Sequence, residues 1–372
     1  MNATAHLFLL ACLIGSVSLS GISSRKKLVI RHYAETPAPV IRFKNSQSVL
    51  SNAILKGALS EMSHLDSFND TYFNPRFLKQ TDQVRSLLEE TKPVYITVPG
   101  QFSATYFDRN SDCLMVVAAG FTNHREYMAP FLKLFPQYDI LLVELPGHGI
   151  DGQESSSYRS LVSQTVLGID IEQIGLGADE AEVISSATQH VKALKSYRTT
   201  IGVSRCYSAP FFAQAAVSYY QDHQEKLFDK LVFDSPFTAF VDFVPNFPKL
   251  WVGRSKAPII KHIYGNKIIG NGFYYLAQWI TGKRFDECPA MTSLLAQLSH
   301  TDILLIHSST DVAISMDDFE RIWASLSDHE HSCALITSNP HALNHIKQKE
   351  LYSWVIQSFV EHPFDQFNRI IT

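Results

Sequence analysis

Short, uninterrupted apolar runs that end in polar turns are the feature that most constrains the fold of this chain. Stretches with helical spacing, such as residues 178–197, lie between the runs. This alternation predicts an α/β protein whose sheet is mostly parallel and covered by helices on both faces. Reactive groups in such sheets lie beyond the carboxyl ends of the strands, which is where the polar turns fall. The runs are CLMVVAAGF (113–121), YDILLVELPGHG (138–149), KLVFDSP (230–236), DILLIHSSTD (302–311) and CALITSNPH (333–341).

The remaining segments divide the chain into three parts. Residues 1–23 contain the uncharged run HLFLLACLIGSVSLSGI, followed by basic residues at 25–27, which predicts a signal or anchor segment. We therefore expect a membrane-associated or exported protein, with a cytoplasmic location as the alternative. Residues 24–92 carry polar helical patterns and are interpreted as an N-terminal extension. Residues 93–372 form the main domain, and the aromatic-rich stretch 237–300 within it predicts a helical lid or cap.

Composition narrows the classes of function. The net charge of −4 provides no broad basic surface, so nucleic acid is not an expected partner. The five cysteines are scattered without C-x-x-C spacing, which argues against a zinc site or a dense disulfide framework. No glycine-rich strand-to-helix turn has the dinucleotide-binding pattern. We therefore expect neither a metal nor a cofactor.

The stretch GVSRC (202–206) nearly matches G-x-S-x-G, the turn that presents a serine hydroxyl above a sheet. It follows β-branched residues typical of a strand and precedes a predicted helix at 209–220, but Cys206 replaces the last glycine. Such a short pattern also arises by chance, so an ordinary turn is an equally compatible interpretation. The hypothesis that Ser204 is a nucleophile therefore depends on finding a base and an acid.

Two later strand ends supply the base and the acid. Asp311 ends the run DILLIHSSTD, where a carboxylate can orient an imidazole, although it could instead cap the following helix. His341 follows the last predicted strand and is the predicted base, with His345 one helical turn on as the alternative. The order serine, aspartate, histidine along the chain is the order expected for this topology.

An oxyanion hole requires backbone N–H groups that point at the developing negative charge. The residue after the nucleophile should supply one of them, which predicts Arg205. The turn AAGFTNHRE after the run at 113–121 should supply the other, with Phe121 as the first choice and Thr122 as the second.

Taken together, these motifs resemble the α/β-hydrolase superfamily over residues 93–372. The resemblance implies an eight-stranded, mostly parallel sheet flanked by helices, a serine-histidine-acid triad and no cofactor. The sequence departs from the usual pattern in having Ala119 before Gly120, where histidine is usual, and Glu144 where aspartate is usual. The third departure is the cysteine in GVSRC.

The sequence therefore predicts a serine hydrolase, carboxylesterase-like or lipase-like, that cleaves an ester or thioester through an acyl-enzyme. Its predicted triad is Ser204, His341 and Asp311, and its substrate is a small molecule or a lipid. The aromatic stretch at 237–300 favours an apolar acyl group. A catalytically inactive binding or membrane-associated scaffold of the same fold is the alternative, favoured by the altered GVSRC turn.

Overall fold

The structure is a computed structural model that describes residues 40–43, 93–98, 102–121, 125–148, 170, 173–246, 267–282, 284–339, 341–342 and 344–371. The predicted signal or anchor segment lies outside these residues. So do 24–39 and 44–92 of the predicted extension and 247–266 of the predicted lid. Among the helices of the described ranges, none combines the length and the apolar character needed to cross a membrane.

Nine strands of the described residues form one sheet in the order β1-β9-β8-β7-β6-β4-β5-β3-β2. The run from β5 through β4, β6, β7 and β8 to β9 is parallel, whereas β1 and the β2–β3 hairpin add antiparallel pairs at the two edges. Eight strands come from residues 93–372, which confirms the predicted sheet, and β1 is contributed by the N-terminal extension. The strands are β1 (Val40–Phe43), β2 (Val94–Val98), β3 (Phe102–Phe107), β4 (Cys113–Ala118), β5 (Asp139–Glu144), β6 (Thr199–Arg205), β7 (Lys230–Asp234), β8 (Asp302–Ser308) and β9 (Ser332–Thr337).

The helices cover both faces of the sheet and form two apolar cores. One core includes side chains of α2, α3, α4, α6 and α7, and the other includes side chains of α1, α9 and α10. Strands β4, β6, β7 and β9 are buried at every position because helices lie on both sides, which accounts for the apolar runs in β4, β7 and β9. The helices are α1 (Pro130–Leu134), α2 (Ala178–Leu194), α3 (Ala209–His223), α4 (Phe240–Phe243), α5 (Lys267–Thr281), α6 (Met291–Leu295), α7 (Met316–Ser325), α8 (Asn344–Lys347), α9 (Lys349–Glu361) and α10 (Phe364–Ile371).

Close packing of β6 against α3 fixes the connection between them. A Cβ atom on Gly202 would lie 2.7 Å from side-chain atoms of both Phe212 and Leu231, so only glycine fits at this point of β6. Pro210 lies in the first turn of α3, where its missing N–H costs nothing. The chain must therefore reverse sharply between β6 and α3, at the carboxyl edge of the sheet.

The described part of the predicted lid, residues 237–246, 267–282 and 284–300, is largely helical and contributes α4, α5 and α6. Phe237, Phe240 and Phe243 are buried, whereas Tyr275 and Trp279 on α5 are 67% and 52% exposed. The aromatic residues of this segment thus divide between the core and the surface, and the function of the segment as a lid stays a prediction.

Candidate active site

The turn between β6 and α3 places Cys206, and not Ser204, at the reversal of the chain. Cys206 directly follows β6 and has a φ of 47°, in the left-handed region that few residues other than glycine adopt. Ser204 lies two residues earlier, within β6, and is fully buried. Its Oγ donates a hydrogen bond to the carbonyl of Val232 on β7 at 3.3 Å. The structure therefore corrects the prediction that Ser204 is presented at the turn.

The predicted base and acid are brought together beside Cys206. His341 Nδ1 and Asp311 Oδ2 are 2.5 Å apart. The other carboxylate oxygen of Asp311 accepts hydrogen bonds from the N–H groups of Ala313 at 2.8 Å and Ile314 at 3.0 Å. The Cys206 thiol lies within hydrogen-bonding reach of the His341 ring. Because Nδ1 faces Asp311, Nε2 is the ring nitrogen that is left to face the sulfur.

Charge attraction dominates the ionisation of this pair. Burial by itself lowers the pKa of the His341 ring, but the charge of Asp311 and the contact with Cys206 outweigh it and raise that pKa well above 6.5. Burial by itself raises the pKa of Asp311, but the charge of His341 and the hydrogen bond between them lower that pKa below 3.8. An imidazolium facing a carboxylate is therefore the favoured state near neutral pH.

His345, the alternative base, is separate from Asp311. It lies on α8 between the rings of Phe131 and Tyr352, with ring centroids 5.9 Å and 6.2 Å from its own. Burial first, and then the charge of Arg205, lower the pKa of His345 well below 6.5. Between the two histidines, His341 is the one that contacts the predicted acid.

The backbone N–H of Arg205 does not serve as predicted, because it donates to Ser208 Oγ at 2.9 Å. The residue that follows Cys206 is Tyr207, whose ring centroid lies 5.1 Å from that of Phe121. The turn after β4, which carries Phe121, therefore lies against the turn after β6. Thr122, the second choice, is outside the described residues.

Tyr207 is held firmly in the wall of the site. Its hydroxyl donates to Glu180 Oε1 at 3.4 Å, and its ring lies against Phe211, with centroids 4.9 Å apart. Glu180, at the start of α2, also accepts hydrogen bonds from the N–H groups of residues 175, 176 and 177 at 2.6, 2.9 and 2.8 Å. Phe240 of α4 completes the wall, with its centroid 5.8 Å from that of Tyr207. The site thereby connects to the segment predicted as a lid.

Sequence reasoning missed Cys206, Tyr207 and Glu180. The sequence nevertheless indicates the cysteine. A turn that presents a nucleophile requires small residues two positions before and after it, and Ser204 and Ser208 occupy these positions around Cys206. In the described residues, no group of three or more histidine, cysteine, aspartate or glutamate side chains is arranged to hold a metal ion.

The sequence matches no protein-family model and no curated protein. The structure is similar to that of an esterase from Pyrococcus furiosus, solved in three crystal forms. The matches cover 74% of this chain and 93%, 94% and 92% of the esterase chain, with TM-scores of 0.52, 0.51 and 0.50. Sequence identities are 14%, 13% and 13%, a level at which the likeness is one of fold. The chain has the α/β-hydrolase fold, as its motifs predict.

Proposed function

We propose that this protein is a hydrolase that uses the Cys206 thiol to cleave a carboxylic ester or thioester. One observation carries the proposal: Cys206 lies at the left-handed turn after β6, beside a His341 ring that Asp311 holds at 2.5 Å. A nucleophile, a base and an acid that orients the base follow β6, β9 and β8, which end at one edge of the sheet. Ser204 is replaced as nucleophile, while His341 and Asp311 keep their predicted roles.

In the first half of the reaction, the Cys206 sulfur attacks the carbonyl carbon of the substrate, and the thiol proton is held by His341 Nε2. The carbonyl π electrons move to the oxygen and form a tetrahedral oxyanion. As the oxyanion collapses, the bond between the carbonyl carbon and the leaving oxygen or sulfur breaks. The leaving group takes the proton from His341 and departs as an alcohol or thiol, and the acyl group remains on Cys206 as a thioester.

In the second half, a water molecule attacks this thioester while His341 accepts one of its protons. The carbon–sulfur bond then breaks, the sulfur leaves as a thiolate, His341 keeps its proton as an imidazolium, and a carboxylic acid is released. Asp311 keeps its negative charge throughout and stabilises the imidazolium, which gives a proton to the leaving group and regains one from water. The net reaction consumes one water and needs no redox partner.

Two backbone groups are proposed for the oxyanion hole. The N–H of Tyr207 replaces that of Arg205, because Tyr207 follows the nucleophile and the N–H of Arg205 is bonded to Ser208. The N–H of Phe121 is the second donor, supported by the contact between the Phe121 and Tyr207 rings. Both belong to turns at the carboxyl ends of neighbouring parallel strands, β4 and β6.

The proposed substrate is a small-molecule or lipid ester with an apolar acyl group. The aromatic wall formed by Phe121, Tyr207 and Phe240 supports this choice. The name of the similar Pyrococcus furiosus protein, an esterase, supports the same reaction class. Membrane association or export stays a prediction from residues 1–23.

The test compares Cys206→Ala, Cys206→Ser and Ser204→Ala by hydrolysis of p-nitrophenyl esters of increasing chain length and of an acyl thioester. We expect Cys206→Ala to lower kcat/KM by about 10³-fold or more and Ser204→Ala to change it by less than about 5-fold. Intact-mass analysis of the wild type, quenched during turnover, should show one acyl group on the peptide that contains Cys206.

The opposite pattern, with activity lost in Ser204→Ala and kept in Cys206→Ala, would return the nucleophile to the serine. A wild type that folds, turns over none of these esters and forms no acyl-enzyme would contradict hydrolysis altogether. In that case the inactive binding protein predicted as the alternative would be the better description.

A further inference from the structure

Arg205, the residue before Cys206, is a buried cation that has no part in the reaction as described. Only 5% of the residue is exposed. Its Nη2 donates to the carbonyl of Ala342 at 2.6 Å, and its Nη1 lies 3.5 Å from Met128 Sδ. Burial lowers the pKa of Arg205 and the charge of Asp234 opposes this, but a guanidinium stays protonated in proteins. A permanent positive charge therefore lies inside the protein, on the residue that precedes the proposed nucleophile in the chain.

The contact with Ala342 fixes the turn that carries the proposed base. Ala342 directly follows His341 and has a φ of 50°, which is unfavourable for alanine and must be held by surrounding contacts. Its N–H donates to Ser235 Oγ at 3.1 Å, and its carbonyl accepts the bond from Arg205. The two peptide groups around Ala342 are thus bound by side chains from the ends of β6 and β7.

Asp234, the last residue of β7, is a carboxylate that interacts electrostatically with this guanidinium. It is fully buried and accepts hydrogen bonds from Ser235 Oγ at 3.1 Å and from Asn344 Nδ2 at 3.2 Å. Burial raises the pKa of Asp234, and the charge of Arg205 acts against that rise. Arg205 also interacts electrostatically with Cys206. The same cation therefore interacts with a structural carboxylate and with the residue that follows it in the chain.

We propose that Arg205 is a positioning residue: through its hydrogen bond to Ala342 it fixes the His341 turn onto the Cys206 turn, so that the imidazole is held within reach of the sulfur. This inference rests on the proposed function, in which Cys206 is the nucleophile. The hydrogen bond to Ala342 keeps the imidazole within reach when the acyl group enters.

The experiment measures Cys206 directly, by the rate of its alkylation with iodoacetamide between about pH 5 and pH 9, read by mass spectrometry of the Cys206 peptide. The variants are Arg205→Met, Arg205→Lys and the double variant Arg205→Met with Asp234→Asn. In Arg205→Met, we expect alkylation at pH 7 to slow by about 10-fold, because an imidazole that is no longer held in place accepts the thiol proton less readily. We expect kcat for an ester to fall by about 10- to 100-fold, with KM changed less than about 3-fold.

The other two variants separate charge from folding. Arg205→Lys keeps the charge but loses the fixed geometry of the guanidinium, so its alkylation rate and its kcat should both stay below those of the wild type. The double variant removes both buried charges; its thermal stability should recover relative to Arg205→Met, and its alkylation should stay slow. Should Arg205→Met fail to fold, these two variants still decide the question.

Lys230→Met is the matched control. Lys230 begins the strand that Asp234 ends, and its Nζ forms a buried ion pair with Asp302 at 2.9 Å, at the far edge of the sheet. Its replacement should lower the melting temperature and leave the alkylation profile unchanged. Wild-type alkylation and kcat in any folded variant without the guanidinium would overturn the proposal. Because alkylation does not require ester turnover, this result is independent of whether Cys206→Ala abolishes hydrolysis.

Discussion

Two carboxylates with no exposed side-chain surface, at opposite edges of one sheet, differ in what surrounds them. Asp139 begins β5 at the amino edge, and Asp311 follows β8 at the carboxyl edge. Asp139 accepts hydrogen bonds from the hydroxyls of Tyr106 and Tyr197 and from Lys195 Nζ, each at 2.9 Å. The backbone N–H groups of residues 109 and 111 add two more, at 2.8 and 3.0 Å. Five donors are thus directed at this one anion, and one of them, Lys195 Nζ, also donates to Asp108 at 3.3 Å.

Asp311 divides its oxygens between two tasks. One oxygen accepts backbone N–H groups, and the other holds a single imidazole whose second nitrogen faces a thiol. Burial and a buried partner therefore do not by themselves make a reactive site. A carboxylate becomes useful for chemistry when its partner has a second functional atom directed at a reacting group.

The largest expected effect follows from replacing each carboxylate by its amide. Asp311→Asn should lower kcat/KM for an ester by about 10⁴-fold, because the amide no longer stabilises the imidazolium. Asp139→Asn should change kcat/KM by less than about 3-fold when the assay is run below its melting temperature. Steady-state kinetics on one p-nitrophenyl ester would measure both. A similar loss of kcat/KM in the two folded variants would show that Asp311 and Asp139 do not differ in their contribution to catalysis.

The free energy of unfolding should be lowered more by Asp139→Asn than by Asp311→Asn, which is the reverse of the order expected for kcat/KM. Asp139→Asn removes the 2.9 Å ion pair of Lys195, which keeps its 3.3 Å contact with Asp108, and turns several donors towards a neutral amide. We expect it to lower the free energy of unfolding by about 1.5–3 kcal/mol, the scale of hydrogen bonds to a charged group. Urea unfolding followed by tryptophan fluorescence would measure the change. Asp311→Asn, tested in parallel at about pH 9, should cost less.

The smallest expected effect is a pH dependence of the free energy of unfolding that arises from the Asp311–His341 pair. The lowered pKa of Asp311 contributes stability that is present above about pH 3.8 and is lost as the pH falls through the folded-state pKa. The raised pKa of His341 contributes stability that is fully present below about pH 6.5 and is lost as the pH rises through its folded-state pKa. The two contributions overlap between about pH 4 and 6.5.

The measurement is therefore the difference in free energy of unfolding between wild type and Asp311→Asn at about pH 5.5 and about pH 9. We expect the larger difference at the lower pH. His307 is stacked on Phe319 with centroids 5.1 Å apart, and its pKa is lowered to about 4 mainly by burial. The resulting pH dependence of the free energy of unfolding is present in both the wild type and Asp311→Asn. A difference that does not change with pH would contradict the charged pair.

Much of this architecture could be predicted from the sequence. The five apolar runs specified β4, β5, β7, β8 and β9, the β-branched residues before GVSRC indicated β6, and the polar turns that end two of the runs specified Asp311 and His341. Cys206 was not predicted to be the nucleophile because the G-x-S-x-G pattern specifies glycine at both ends. The physical requirement is only that the residues on either side of the turn are small. The flanking serines at 204 and 208 meet that requirement, so a rule stated in terms of size would have selected the cysteine.

Other features depend on contacts that no local pattern contains. The bond from Arg205 to Ala342 joins residues 137 positions apart, and Tyr106 and Asp139 come from adjacent strands of opposite direction. Strand β1 has only four residues, too few for a periodic signal, and its surroundings in sequence are polar. Such contacts become visible only once the order of the strands is known.

The pairing of β1 with β9 has a practical consequence for anyone who produces this protein. Val40 lies opposite Ile336 and Phe43 opposite Cys333, so β1 covers the outer edge of the strand that leads to His341. A shortened chain that starts at residue 93 would expose the backbone of β9 and invite pairing between molecules, with aggregation as the result. Versions made for crystallisation should therefore start ahead of Val40.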